Sequence, residues 1–306
     1  MNKRLVFMGS PEFAIPTLRA LVENYRVIGV VTQPDRPAGR GRSLKPPPIK
    51  TLADEMGIPI IQPVRLTDSE AKSQLKRWSP DLIVVAAFGQ ILKPEILTLP
   101  HHGCMNVHAS LLPRWRGAAP IQAAILNGDT QTGTSIMLMD AGLDTGPIIS
   151  QREIQITPAD TAGSLSTRLS ESGAELLIET LPAYLEGDLL PYPQDDTLAT
   201  YAPMLKKAEG QLNFTHPAEN LARRVRAFNP WPGTFMNWGH SRLKIHRAYS
   251  VKTPSTDVGQ TVIHDGLPAV ITGEGILVLV EVQPAGKNSM PGEVFLRGAR
   301  GWAEES

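Results

Sequence analysis

One cysteine, Cys104, stands in a chain of 306 residues. A lone thiol excludes an intrachain disulfide and a thiolate-held metal cluster, and it fits a reducing compartment. Apolar runs such as Leu82 to Phe88 fall far below the roughly 18 residues needed to span a bilayer. The N-terminus, Met1-Asn2-Lys3-Arg4, enters a short apolar strand without the h-region and small-residue cleavage site of a signal peptide. The expected location is therefore cytoplasmic, with no membrane role. Net charge is missing too: 30 Lys and Arg offset 30 Asp and Glu, so the overall balance selects no partner. There is no internal repeat and no long low-complexity tract, only a locally extended Pro46-Pro47-Pro48. After the first strand comes a single glycine, in Gly9-Ser10-Pro11-Glu12, where a dinucleotide fingerprint needs three spaced glycines; this argues against a nicotinamide cofactor.

Charge is present locally. Residues 36–50 hold Arg36, Arg40, Arg42, Lys45 and Lys50 with no acid, and residues 206–250 hold eight Lys or Arg against Glu209 and Glu219. Residues 151–205 hold two Arg against nine acids. Separate basic patches on a neutral chain suit an extended polyanion, although charge alone equally fits solvated surface faces. Leu5 to Met8 reads as a buried strand, Gly9-Ser10-Pro11 as a turn, Phe13 to Glu23 as an amphipathic helix and Val27 to Thr32 as a second strand. Further strand-like runs at Asp81 to Ala87, Met105 to His108 and Thr134 to Met139 predict a Rossmann-like α/β domain, with a mainly parallel sheet and helices on both faces. Ala159 to Gly187 predicts a long helix closing that domain. Pro191, Pro193, Asp195 and Asp196 mark a linker over 190–205, dividing a catalytic domain, 1–189, from a second domain, 206–306. In the second, after a helix over Pro217 to Ala227, short strands at Thr234 to Trp238, Leu243 to Tyr249 and Ile276 to Val282 predict a small, OB-like β-barrel.

The chemistry concentrates between Met105 and Gly117, where the chain reads Asn106-Val-His108-Ala-Ser110-Leu111-Leu112-Pro113-Arg-Trp-Arg116-Gly117. At a strand end, Asn106 and His108 share one face about 6.5 to 7 Å apart. An amide donor beside an imidazole suits a carbonyl that becomes an oxyanion while a proton moves, which points to acyl transfer. Asp144, on a glycine-flanked loop downstream, is the acid able to hydrogen-bond the imidazole and fix its tautomer. Asn106 then serves as oxyanion donor and His108 as second donor or proton carrier; which of the two carries the proton stays open at this point. Taken singly these are an ordinary capping Asn, a core His and a surface Asp; the ordered set favours function. His101 and His102 read as surface or packing residues and Cys104 as core; Trp231 and Trp238 read as core aromatics in preference to stacking partners of bases. No metal is predicted.

The motif Asn106-x-His108-x-Ser110-Leu-Leu-Pro113-x-x-Arg116-Gly117, followed by Asp144 within Asp140-Ala-Gly-Leu-Asp144-Thr-Gly, resembles the folate-dependent formyltransferases. Phe7 to Ala14, Thr32 to Gly41, Arg114 to Pro120, Ala227 to Pro232 and Lys287 to Met290 are similar to the branch of that superfamily that formylates methionyl initiator tRNA. The resemblance covers about residues 3 to 298. It implies transfer of a formyl group from 10-formyltetrahydrofolate to the α-amino group of methionine on initiator tRNA, by direct attack through a tetrahedral intermediate. It also implies that Ser110, Leu111, Leu112 and Pro113 lie against the folate, the leucines and proline as an apolar wall and Ser110 as a polar contact. Loops carrying Phe88, Gln90 and Leu92, and Asp140 to Asp144, would cradle the pterin through backbone groups. Arg40 matches the family's important arginine on a basic loop over Gln33 to Pro48 that meets the acceptor stem, with Arg42 and Lys45 in support. Lys206, Lys207 and Arg223 extend that footprint on the second domain. The expected enzyme is a monomer. Two alternatives follow from the same scaffold: a formyltransferase for another amine, glycinamide ribonucleotide or an amino sugar, and a non-catalytic tRNA-binding protein.

Overall fold

The computed structural model describes residues 3–38, 43–254 and 256–303. The chain divides into two compact units, the first made of residues 1–120, 131–155 and 166–201, the second of 121–130, 156–165 and 202–306. Each is built around its own sheet.

The main sheet of the first unit has seven strands: β1 Arg4–Gly9, β2 Arg26–Val31, β3 Ile60–Ile61, β4 Leu82–Ala86, β5 Cys104–His108, β6 Gln131–Leu138 and β7 Ile148–Gln155. Their order is β7-β6-β5-β4-β1-β2-β3. Strands β3, β2, β1, β4 and β5 run parallel, and the continuous apolar runs of β1, β2 and β4 suit strands covered on both faces. Direction then reverses twice: β6 pairs antiparallel with β5, and β7 antiparallel with β6, so β6 alone runs against the others.

Alternation along each strand sorts the core into two layers. Leu5, Phe7, Leu82, Val84, Met105 and Val107 pack with α1 (Ile15–Asn24), α2 (Pro48–Glu55) and the long helix Ala162–Glu186. Val6, Met8, Ile83, Val85 and Cys104 pack on the other side with Leu75 of the helix Ser69–Trp78. Burying each of the Val, Leu, Ile, Phe and Met side chains here is worth about 1.5 to 3 kcal/mol. The odd–even split also aims Asn106 and His108 to the same face as Cys104, away from Met105 and Val107. Gly9 is explained by packing: a Cβ there would lie 2.8 Å from the Ala14 Cβ and 2.9 Å from the Ala86 carbonyl oxygen, so the start of the first helix and β4 approach the backbone too closely for any other residue.

The stretch read as a linker is tied down at Tyr192 and at Thr200. Ile148 and Tyr192 exchange two backbone hydrogen bonds of 2.8 Å, and the Thr200 carbonyl accepts from Arg116 N–H at 2.8 Å. No helix among the described residues is long and apolar enough to cross a membrane.

The second unit carries a six-stranded antiparallel sheet: β8 Thr234–Trp238, β9 Ser241–Val251, β10 Thr261–His264, β11 Leu267–Ile271, β12 Ile276–Pro284 and β13 Met290–Pro291. Its core gathers Leu221 and Val225 of the helix Ala218–Ala227 with Leu243, Leu279, Phe295 and Trp302. Trp238 stacks edgewise on Phe295 at 5.2 Å. Trp231 corrects its expectation: it is 53% exposed, because it sits between prolines on the turn after that helix rather than on a strand.

Candidate active site

The site is assembled at the carboxyl end of β5. His108, 6% exposed, places Nε2 3.0 Å from the Trp115 carbonyl oxygen. A carbonyl only accepts, so Nε2 carries the proton and Nδ1 is the basic nitrogen of the neutral ring. Nδ1 faces Asp144 Oδ2 at 3.7 Å. Two acceptors at that separation become an attracting pair once Nδ1 takes a proton. The ring is thus oriented by Trp115, where sequence reasoning gave that work to Asp144. The Asp144 carboxylate is instead fixed by Gly117 N–H, which donates to Oδ2 at 2.8 Å. Asn106, opposite Met137 on β6, is half-buried, and its side-chain amide makes no hydrogen bond to any described residue.

Backbone strain collects here. Ala87 (φ 47°), Trp115 (φ 61°) and Asp144 (φ 52°) are left-handed non-glycine residues at or beyond the ends of β4, β5 and β6. Conformations of this kind cost of order 1 to 3 kcal/mol each and persist where the surroundings impose them.

The Ser110 to Gly117 turn is knitted from within. Ser135 Oγ donates to the Ser110 carbonyl at 2.6 Å and accepts from Leu112 N–H at 3.0 Å and Gln151 Nε2 at 2.8 Å. Ser110 is fully buried and its hydroxyl donates to the Arg114 carbonyl at 2.6 Å, which corrects the expectation that it offers a polar contact to a ligand. Leu112 is buried against Met137 and Ile148, while Leu111 and Pro113 stay half-exposed. Phe88 and Leu92 are core residues, 2% and 3% exposed; the Phe88 carbonyl accepts from Gln33 Nε2 at 3.1 Å. Gln90 bonds Leu66 N–H and the Pro63 carbonyl, bracing the neighbouring loop. Asp140 Oδ1 accepts from Gly142 N–H and the Thr145 hydroxyl and shapes the turn that carries Asp144.

Sequence reasoning missed Ser135, Gln151 and Gln194. No pattern marks a single Ser or Gln; only the strand pairing that sets His108 opposite Ser135 reveals the first. Arg116 was quoted in the motif without a task. It is 2% exposed, and its guanidinium donates to Gln194 Oε1 at 2.8 and 3.0 Å and to Asp196 Oδ1 at 2.7 Å.

Cys104 is inert. Burial pushes its thiol up to about 12, and Sγ faces the Ile96 and Leu97 carbonyls. Iodoacetamide at pH 8 is therefore expected to leave the folded protein unlabelled while fully labelling the guanidinium-unfolded chain; rapid labelling of the folded protein would contradict this placement. No group of three or more His, Cys, Asp or Glu among the described residues is arranged to hold a metal.

The basic residues divide. Arg40 and Arg42 lie outside the described residues. The flanks of that loop, Arg36–Ala38 and Ser43–Lys45, pair antiparallel, with Lys45 exposed opposite Arg36. In the second unit Lys206 and Lys207 are exposed, and Arg223 is half-buried and paired with Glu219. Arg223 also lines an open groove of about 370 Å³ with Arg224, His216, Asn127 and Asn220. On β9 the register shifts between Ile245 and Arg247, which returns Arg247 to the exposed face already holding Arg242 and Lys244.

Two family descriptions cover most of the chain: formyl transferase matches residues 3–181, and formyl transferase, C-terminal domain, residues 204–300. A methionyl-tRNA formyltransferase of Myxococcus xanthus is 48% identical over 297 residues, covering 96% of this chain and 95% of its own. Among solved structures, an N-formyltransferase from Helicobacter canadensis in complex with folinic acid and dTDP-3-aminofucose superposes with a TM-score of 0.67 at 18% identity, covering 93% of this chain and all of its own. A methionyl-tRNA formyltransferase from Clostridium thermocellum superposes with a TM-score of 0.58 at 17% identity, covering 94% and 100%. At such identities the two structures share the fold alone.

Proposed function

The chain belongs to the formyltransferase family, and from that premise we propose that it moves a formyl group from 10-formyltetrahydrofolate to the α-amino group of methionyl initiator tRNA. The observation that carries this reading is the half-buried amide of Asn106, without a partner among the described residues, beside an imidazole whose Nδ1 faces Asp144. Formyl-folate supplies an activated amide, its nitrogen lone pair shared with an aryl ring. Asn106 donates its N–H to the oxygen as negative charge develops on it. His108 holds at Nδ1 the proton released when the amine adds, Asp144 stabilises that cationic ring, and the proton passes to the departing nitrogen. Leu111 and Pro113 exclude water along one side of the donor, and the backbone at Phe88 to Leu92 and Asp140 to Asp144 offers polar groups to its ring system.

The tRNA footprint is read as the Gln33 to Pro48 loop, with Arg40, Arg42 and Lys45, extended by Lys206, Lys207 and Arg223 in a tRNA-binding second domain. A formyltransferase for a small amine has no need of such a basic surface. The protein acts as a cytoplasmic monomer in this reading. The direct test is whether purified protein transfers labelled formyl to methionyl initiator tRNA and ignores the uncharged form; absence of transfer would reject it. Arg40→Ala is expected to lower kcat/KM for the tRNA about tenfold and the salt slope by about one, since it removes one phosphate contact. Folate binding, followed by fluorescence titration, should stay within about twofold. Equal loss of both would detach the loop from tRNA.

A further inference from the structure

Gln194 lies in the acidic, proline-rich stretch after the long helix, far in sequence from any motif residue. Its side chain is nonetheless fully engaged. Nε2 donates to the Asp144 carbonyl at 2.8 Å and to the Gly146 carbonyl at 2.7 Å, while Oε1 accepts twice from Arg116. Arg116, with almost no solvent access, adds Asp196 as a second acceptor. The next residue, Gly117, donates its N–H to Asp144 Oδ2. Asp144 is thereby gripped at both ends: its carboxylate by Gly117 and its backbone, through Gln194, by Arg116. That double grip holds a left-handed aspartate, φ 52°, which an isolated loop would relax.

We propose that Gln194 is a positioning residue of the transfer reaction, holding the Asp144 loop so that its carboxylate stays aligned with His108 Nδ1. The stretch 191–200 then belongs to the working site and does more than join two domains. This rests on the role given to Asp144 above.

The informative variant is Gln194→Glu. It keeps an acceptor for Arg116, so the buried cation stays paired, but it loses the amide donor and sets carboxylate oxygens against two carbonyls. The expected result, in single-turnover transfer to methionyl initiator tRNA, is a kcat lowered roughly 10- to 100-fold, because small misplacements of a catalytic group have effects of that size. The KM for each substrate should stay within about twofold, and the pH–rate profile should be displaced in the same sense as for Asp144→Asn. In the double variant Asp144→Asn/Gln194→Glu the second change should cost less than about threefold, since both act through one group. Gln194→Leu, of similar volume and lacking both functions, supplies the same readouts should the glutamate variant fold poorly. Additive losses, or a lower kcat with an unmoved pH profile, would overturn the proposal by reducing Gln194 to a structural residue. Loss in Asp144→Asn with none in Gln194→Glu would overturn it while leaving Asp144 its role. An unaffected Asp144→Asn would remove both.

Discussion

Asn106→Ala is expected to slow formyl transfer about 100- to 1000-fold, the usual worth of one oxyanion donor in a preorganised site. The amide is half-buried and spends none of its hydrogen-bonding capacity on described protein atoms, so it is held ready for a group that arrives with the substrates. Removing it leaves the strand intact, because β5 is secured by Met105 and Val107 in the core behind it. Thermal stability should therefore change by less than about 1 kcal/mol, as for a truncation outside the core. Asn106→Asp makes a sharper comparison: it preserves shape but sets a carboxylate against developing negative charge, and should be at least as slow as the alanine variant. His108→Ala is expected to fall in the same range by a different route, since it removes the proton-holding Nδ1 beside Asp144 and also releases the Trp115 carbonyl. The two are separated by the pH–rate profile, which Asn106→Ala should preserve and His108→Ala should abolish. Rapid-quench single turnovers with labelled 10-formyltetrahydrofolate make the measurement. Rates within threefold of wild type for either alanine variant would remove that residue from the chemistry.

Much of this site was legible because its residues are adjacent in sequence. Asn106 and His108 announce themselves by a two-residue spacing at the end of an apolar strand, and β1, β2 and β4 announce themselves by apolar runs such as Leu82 to Ala86, whereas Ile60–Ile61, two residues long, carries no such signal and is not among the strands the sequence predicts. Pairing direction was less legible. Period-two alternation in β6 is the same for either orientation, and β7, with the sequence Ile-Ile-Ser-Gln-Arg-Glu-Ile-Gln, is too polar to signal a strand at all, because it is exposed at the sheet edge. The supporting contacts were hidden for another reason. Ser135 reaches the Ser110 turn only through cross-strand register, and Gln194 reaches Asp144 across 50 positions of chain. Composition marks residues 190–205 as a spacer, since prolines and acids disfavour a regular helix or strand; it cannot show that one glutamine within it spans a guanidinium and two carbonyls. Trp231 failed for a related reason: hydrophobicity predicts burial, but flanking prolines hold it on a turn.

Gly146→Ala should do the most damage for the fewest atoms. The loop between β6 and β7 folds back so tightly that a Cβ on Gly146 would lie 1.9 Å from the Leu138 carbonyl oxygen and 3.3 Å from Asp140 N. Both are backbone atoms, and Leu138 is itself held by its N–H bond to the Pro147 carbonyl at 2.9 Å, so neither neighbour yields by a rotamer change. The clash is relieved only by moving the loop, at a cost of about 3 kcal/mol, the upper end for overpacking. For a unit of this size that corresponds to a Tm fall of roughly 6 to 12 °C. Function should fall further than stability. Moving Gly146 withdraws one of the two carbonyls that Gln194 grips and drags Asp144, two residues earlier, away from His108. A loss of about 100-fold in kcat is expected even at temperatures where the variant is fully folded, the scale that goes with misplacing a catalytic group by an ångström. Gly298→Ala is the matched control, because its added Cβ would meet only the Phe295 carbonyl oxygen at 3.9 Å, and it should melt and turn over like the parent. Calorimetry and single-turnover assays on the pair decide the matter. A Gly146→Ala protein that lost stability but kept its rate would mean that Asp144 tolerates displacement, and that its alignment with the imidazole is not what the reaction requires.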